Sequence, residues 1–278
     1  QIDLDGLAAD EATDPGKRLQ KSSAFGYPQL VLGMIAIFVY VGVEVSTISN
    51  MPAYLELPVS EGGLGIETSL IAPFVSLYWA SLMIGRWAGA AGAFDVAKRT
   101  KWMLTILLPY LAFGVFLAVN AFANHEISHF FMYGFVIVLM IAATFASRGN
   151  PARMLLYFAV CGITALVIGM LTTGMTSVVA FISVGLFCST MWPCIYTLAI
   201  TGLGRNTNQG SSLLIMMIMG GGIVSWLQGV IADMHGIHYS FVIGVLCFAY
   251  LAFYAIAAKR ALQKQGIDLD ALTAQGGH

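Results

Sequence analysis

The stretch PQLVLGMIAIFVYVGVEVSTISNM, Pro28 to Met51, decides the fold. Its 24 residues carry one charge, Glu44. As an α-helix rising about 1.5 Å per residue, the stretch reaches across a hydrocarbon core roughly 30 Å thick. Seven further runs of the same character follow: Leu70 to Phe94, Trp102 to Ala123, Phe130 to Ala146, Met154 to Thr172, Val178 to Leu203, Ser211 to Ala232 and Tyr239 to Ala258. Eight such runs predict an all-α, polytopic membrane protein of about eight transmembrane helices. Composition agrees, because 58% of the 278 residues are hydrophobic and 10% are charged, whereas a soluble domain carries roughly 25% charged residues. The surplus apolar surface needs lipid to face.

Outside the spans the chain is polar. Residues 1–27 open with Asp3, Asp5, Asp10, Glu11 and Asp14 among Gly and Ala, too little apolar surface to fold alone, and are expected to be a solvated linker. This opening lacks the basic n-region and cleavage site of a signal peptide and reads as an internal cut in a longer polypeptide. Residues 28–260 form the transmembrane domain and 261–278 a polar tail. Cys161, Cys188, Cys194 and Cys247 all fall inside spans, which leaves no disulfide framework or CxxC metal site, and they read as small buried hydrophobes.

Threading the chain through eight spans places all 13 Lys and Arg residues on one side. Lys17, Arg18 and Lys21 precede the first span; Arg86, Lys98, Arg99 and Lys101 lie at the second-to-third junction; Arg148 and Arg153 follow the fourth; Arg205 follows the sixth; Lys259, Arg260 and Lys264 follow the eighth. The positive-inside rule makes this side, and both ends of the chain, cytoplasmic. Any inner-membrane protein obeys the same rule, so it fixes topology and leaves function to the polar groups inside the spans.

Glu44 is the one acidic residue within a span, and a carboxylate at that depth costs about 2.5 to 3.5 kcal/mol unless paired, protonated or wet. Tyr40, Thr47 and Met51 share its helical face at spacings of three and four, giving a wall with a titratable group, a phenol and a hydroxyl. Either this wall lines a path through the membrane, or Glu44 only hydrogen-bonds a neighbouring helix. In the sixth span Pro193, next to Trp192, removes a backbone donor and permits a kink or break. Gly220, Gly221 and Gly222 in the seventh allow either close helix approach or a hinge. Gly85 and Gly89 form a small-xxx-small pair in the second span, about two turns after Tyr78 and Trp79. Aromatic faces such as Tyr78, Trp79 and Trp192 suit the apolar face of a sugar ring, although most membrane tryptophans only pack.

His125, Glu126 and His129 match H-E-x-x-H, which on a helix sets two zinc ligands on one face with Glu as general base. Here the motif sits in a short outside loop at the mouth of the fourth span, and a third ligand would have to come from His235 or His238. The context favours solvated loop residues, and no metal, cofactor or catalytic residue is expected.

Three segments resemble the fucose:proton symporter family of the major facilitator superfamily. FVYVGVEVSTISNMPAYL (Phe38 to Leu55) is similar to that family's seventh helix, and GRWAG (Gly85 to Gly89) to the Gly-Arg motif ending its eighth. WPCIYTLAITGLGRNTNQGSSLLIMMIMGGGIVSWLQGVIAD (Trp192 to Asp233) is similar to its tenth helix, the following loop and a Gly-Gly-Gly eleventh helix. The resemblance implies a rocker-type transporter of two pseudo-symmetric halves with a midplane substrate site. This chain would supply the C-terminal half and its missing N-terminal half the other wall. Residues 28–94 and about 154–258 are family-like. A six-helix half leaves two spans over, so an inserted helix pair is expected at about 102–146, the third and fourth spans or the fourth and fifth.

The implied function is secondary active transport of a hexose or deoxyhexose across a bacterial inner membrane by alternating access. Glu44, Tyr40, Thr47, Tyr78, Trp79 and Trp192 are the candidate substrate-binding residues. Arg86, Pro193, Gly220, Gly221 and Gly222 are candidate gating or structural groups; by the resemblance Arg86 is a cytoplasmic gate or structural group rather than a substrate ligand. No P-loop is visible and no basic patch interleaved with aromatics, so the energy source is expected to be an ion gradient, H⁺ with Na⁺ not excluded, and nucleic acid is not a partner. The rival readings are a permease of the same fold for another metabolite or drug, and a membrane subunit that moves no solute.

Overall fold

A computed structural model describes residues 23–61, 63–90 and 96–271. Among them all regular structure is helical, and eight helical stretches are long and apolar enough to cross a membrane. These are Pro28–Glu56, Thr68–Ala90, Arg99–Phe122, Ser128–Ser147, Pro151–Leu171, Gly174–Ile200, Gly204–His235 and Ile237–Lys264, referred to below as the first to eighth spans. They coincide with the eight runs read from the sequence, with ends displaced by up to seven residues. The acidic opening through Lys21, Phe94 at the end of the second run, and the last residues of the tail lie outside the described residues.

Local chemistry sets the ends. Pro28 stands at the first helical position of the first span, where its missing N–H would have no intrahelical partner. Asn150 caps the fifth span, its side chain accepting from the backbone N–H groups of Ala152 and Arg153, with Pro151 next in line. The left-handed pair Arg148 and Gly149 turns the chain into that cap.

Two spans are interrupted. The sixth runs Gly174–Cys188, breaks at Ser189 and Thr190, and resumes as Met191–Ile200. Pro193, in the first turn of the resumed helix, has no N–H to return to the carbonyl of Ser189. The seventh runs Thr207–Met216, tightens to a 3₁₀ turn over Met217–Met219, and continues as Gly220–His235.

The sixth span is the axis of the molecule, with 83% of its apolar window buried, and it packs against the first, second and fifth. The first span is enclosed by the sixth, seventh and eighth, and the eighth also packs along the fifth. The seventh lies against the first so closely that a Cβ on Gly220 would sit 2.0 Å from the carbonyl oxygen of Phe38. At Gly221 the same test meets Val45 and Val41 at 3.1 and 3.2 Å, and at Gly222 it meets nothing within 4 Å. Close approach thus occupies the front of the glycine triplet, and Gly222 faces outward.

The third span packs on the second, and the fourth on the fifth with smaller contacts to the third and sixth. Neither packs appreciably against the first, seventh or eighth. One buried tyrosine ties this pair to the rest: Tyr133 of the fourth span shares a 2.7 Å hydrogen bond with Ser81 of the second.

Each end of the bundle has its own clasp. At the end where Pro28 enters, Gln29 and Gln265 exchange amide hydrogen bonds of 2.8 and 3.2 Å, and Gln29 also donates to the carbonyl of Thr201. Beside them Asp270 pairs with Lys259 at 2.8 Å and Arg153 at 3.0 Å and accepts from Asn150. At the opposite end the Tyr54 phenol donates to Ser177, which donates to the Gly169 carbonyl, and His238 stacks on Tyr54 with ring centroids 5.2 Å apart.

Candidate functional site

The first span is built so that positions three and four apart share a face, and at its middle this face carries Tyr40, Glu44 and Thr47. The Tyr40 hydroxyl donates to Oε2 of Glu44. From the second span the Tyr78 hydroxyl donates to the backbone carbonyl of Glu44 at 2.7 Å. Spans one and two touch over only a short stretch, so this bond registers one against the other at the level of the carboxylate.

The sixth span closes the third side. Gly185 lies against Tyr78 so tightly that a Cβ there would stand 2.8 Å from the Tyr78 carbonyl oxygen and 3.2 Å from its ring. One turn on, Cys188 is fully buried. Ser189 follows at the break, where Gly85 of the second span makes room for it: a Cβ on Gly85 would collide with the Ser189 hydroxyl at 1.8 Å. Beyond the break the ring of Trp192 stands 6.2 Å from that of Tyr40, tilted by 60°. The guanidinium of Arg86, itself exposed, acts electrostatically on Glu44, Tyr40 and Cys188.

The candidate residues therefore divide. Glu44 is partly exposed, as is Trp192, and Trp79 is 49% exposed beside Tyr78, edge to face at 5.9 Å. Tyr40, Thr47 and Tyr78 are 2%, 1% and 0% exposed, enclosed by their own bundle. The Thr47 hydroxyl returns to the carbonyl of Val43, one turn back. Glu44, Trp79, Trp192 and Arg86 keep exposed surface, while Tyr40 holds the Glu44 carboxylate and Tyr78 its backbone carbonyl.

Sequence reading passed over Gly185, Cys188 and Ser189 as site residues. Their signal is present: small residues three and four apart on the face of the sixth span that meets Tyr78 and Gly85. The spacing of a single span shows a small-residue face but not which side chains of other spans will occupy it.

The H-E-x-x-H stretch does not lie on an α-helix. His125 and Glu126 are in a loop and His129 in the 3₁₀ turn Ser128–Phe130. His125 bonds to the Oδ1 of Asn120 at 3.2 Å, while His129 approaches Glu126 at 3.6 Å, so the two imidazoles turn to different partners. His238 is engaged by Tyr54 and the Gly169 carbonyl in the far-end clasp. Among the described residues no group of three or more His, Cys, Asp or Glu stands ready for a metal.

No family model matches the chain. It is 34% identical over 242 residues to the glucose/galactose transporter of Brucella abortus, an alignment covering 87% of this chain and 45% of that protein. To the L-fucose-proton symporter of Escherichia coli it is 34% identical over 110 residues, covering 39% of this chain and 25% of that one. Among solved structures it matches a major facilitator superfamily transporter, FucP, in the outward conformation, with a TM-score of 0.59 and 22% identity. That match covers 83% of this chain and 42% of the other. The chain spans less than half the length of these relatives.

Proposed function

From a chain that has the major facilitator fold and is homologous to sugar transporters, we propose secondary active transport of a hexose or deoxyhexose across a bacterial inner membrane. The transport is H⁺-coupled and works by alternating access. The chain forms one wall of the substrate cavity and a second helical bundle forms the other. Its Lys- and Arg-bearing junctions, and both of its ends, lie on the cytoplasmic side. The third and fourth spans are the inserted pair, which their position on the rim supports: removing the fifth would strip the partner of both the sixth and the eighth.

The observation that carries this reading is Glu44. A carboxylate at mid-span that is partly open and gripped by a phenol, whose ring in turn stands 6.2 Å from that of Trp192, combines a proton acceptor with a nearby aromatic face for a sugar. Glu44 is the proton-linked ligand for sugar hydroxyls, and Trp192 and Trp79 are the ring platforms. Arg86 is a gating group.

The test is uptake of labelled glucose, galactose and fucose into proteoliposomes under an imposed pH gradient, with Na⁺ present or absent. Sugar uptake that follows the H⁺ gradient is expected, and Glu44→Gln should abolish its dependence on pH. Failure of all three sugars to be taken up or to exchange would sink the sugar reading. The same carboxylate favours a second reading, a cationic metabolite or drug as substrate, which competition by organic cations would reveal.

A further inference from the structure

We propose that Tyr40 is the positioning residue through which the protonation state of Glu44 reaches the broken sixth span, an inference that rests on Glu44 being the coupling carboxylate. The grounds are geometric. Tyr40 is 2% exposed, so its ring is not a surface for a substrate. It stands one turn before Glu44, and its single O–H is given to the Glu44 carboxylate. Its ring also stands 6.2 Å from that of Trp192.

Trp192 is the second residue of Met191–Ile200, the segment that follows the break at Ser189 and Thr190. Pro193 beside it cannot restore a bond across that break. The phenol thus joins a titratable group on a continuous helix to the first turn of the segment that follows the break in the sixth span.

The chemistry of the bond makes the link sensitive to charge. An ionised carboxylate only accepts, and the phenol must point at it. Once protonated the carboxyl becomes a donor, and the phenol no longer has to aim its hydrogen there. With the ring buried against Trp192, a change at the hydroxyl is passed to the indole rather than to solvent.

The other groups facing Glu44 are already committed or distant from this exchange. Tyr78 of the second span gives its hydroxyl to the Glu44 backbone carbonyl. Arg86 of the same span acts electrostatically from an exposed position, and Cys188 of the sixth is buried. The described residues of the seventh and eighth spans bring no charge to it.

The experiment is the pH profile of labelled glucose uptake by the intact protein in proteoliposomes, with Trp192 fluorescence isolated by subtracting the Trp192→Phe protein. In Tyr40→Phe the carboxylate loses a donor that favours its charged form. The midpoint of the profile should therefore move up, and the pH-dependent change at Trp192 should vanish. An unchanged midpoint with the Trp192 signal intact overturns the proposal. Should Tyr40→Phe not reach the membrane, Glu44→Gln gives an independent reading that needs no uptake: the pH-dependent change in Trp192 fluorescence, read without sugar, should vanish, and its survival overturns the link. Failure of the underlying reading shows itself separately, as a Glu44→Gln protein that keeps the wild-type pH profile.

Discussion

The first and third spans are both long, nearly uncharged helices, yet 56% of the apolar window of one is buried inside the protein and 22% of the other. The difference lies in what their small residues meet. Gly33 and Gly42 of the first span face Ala199, Tyr254 and Val224 of neighbouring spans, whereas Gly114 of the third has nothing within 4 Å. The third span turns Met103, Leu107, Val119 and Phe122 outward, the last of these 90% exposed. Apolar character satisfies lipid and protein equally well, since in a membrane helices are held together by close packing and hydrogen bonds rather than by escape from water. A span becomes part of the working bundle by offering room for another backbone.

That contrast is broken most severely at Gly220. Gly220→Val places branched atoms where a Cβ alone is already 2.0 Å from a main-chain oxygen, and the seventh span has to leave the first. The expected cost is about 3 kcal/mol or more, read as a sharp drop in thermal midpoint in detergent and in membrane yield. Gly222→Ala, two residues on with open space around it, is the control that should leave both unchanged.

Removing residues 98–147 sharpens the contrast from the other side. The deletion takes away the third and fourth spans as a pair, so the spans after it keep their direction through the membrane. It forfeits the Ser81 to Tyr133 bond and the packing on the second, fifth and sixth spans, which lipid replaces. The shortened protein should insert, with a thermal midpoint only a few degrees lower and the proposed pH-dependent sugar uptake retained. Loss of insertion would mean that the pair is integral to the bundle.

The smallest effect is expected at the clasp beside Pro28. Hydrogen bonding from Lys259, with Arg153 and Asn150 alongside, holds the Asp270 carboxyl below the usual carboxylate range. Its stabilisation is present above about pH 4, the unfolded value for Asp, and is lost as pH falls through the depressed value. Because Asp270 is 35% exposed, Asp270→Asn should cost only about 0 to 1 kcal/mol at pH 7. The variant and the parent should converge as the pH is lowered, a comparison that thermal unfolding at two pH values makes directly.

Much of the fold was legible from local sequence. Eight apolar runs and the break near Pro193 depend on residues near one another in the chain, and the structure returns the same eight spans. The candidate site was legible only in part. Glu44 announced itself by the cost of a carboxylate at that depth. Whether Tyr40, Thr47 and Tyr78 face a ligand or the protein depends on which helix lies opposite, and all three proved enclosed. Pro193 marked the turn near which the sixth span breaks, but not that Ser189 would fill the space left by Gly85.

The amino-acid sequence by itself determined that this chain is a polytopic helical membrane protein, because length, hydropathy and the cost of an intramembrane charge act on each segment separately. Only the tertiary structure decided which spans form the core, which glycine of a triplet meets another backbone and which phenol holds the carboxylate. Those are distances between segments remote in the chain, and the periodicity of a single helix carries no information about its neighbour.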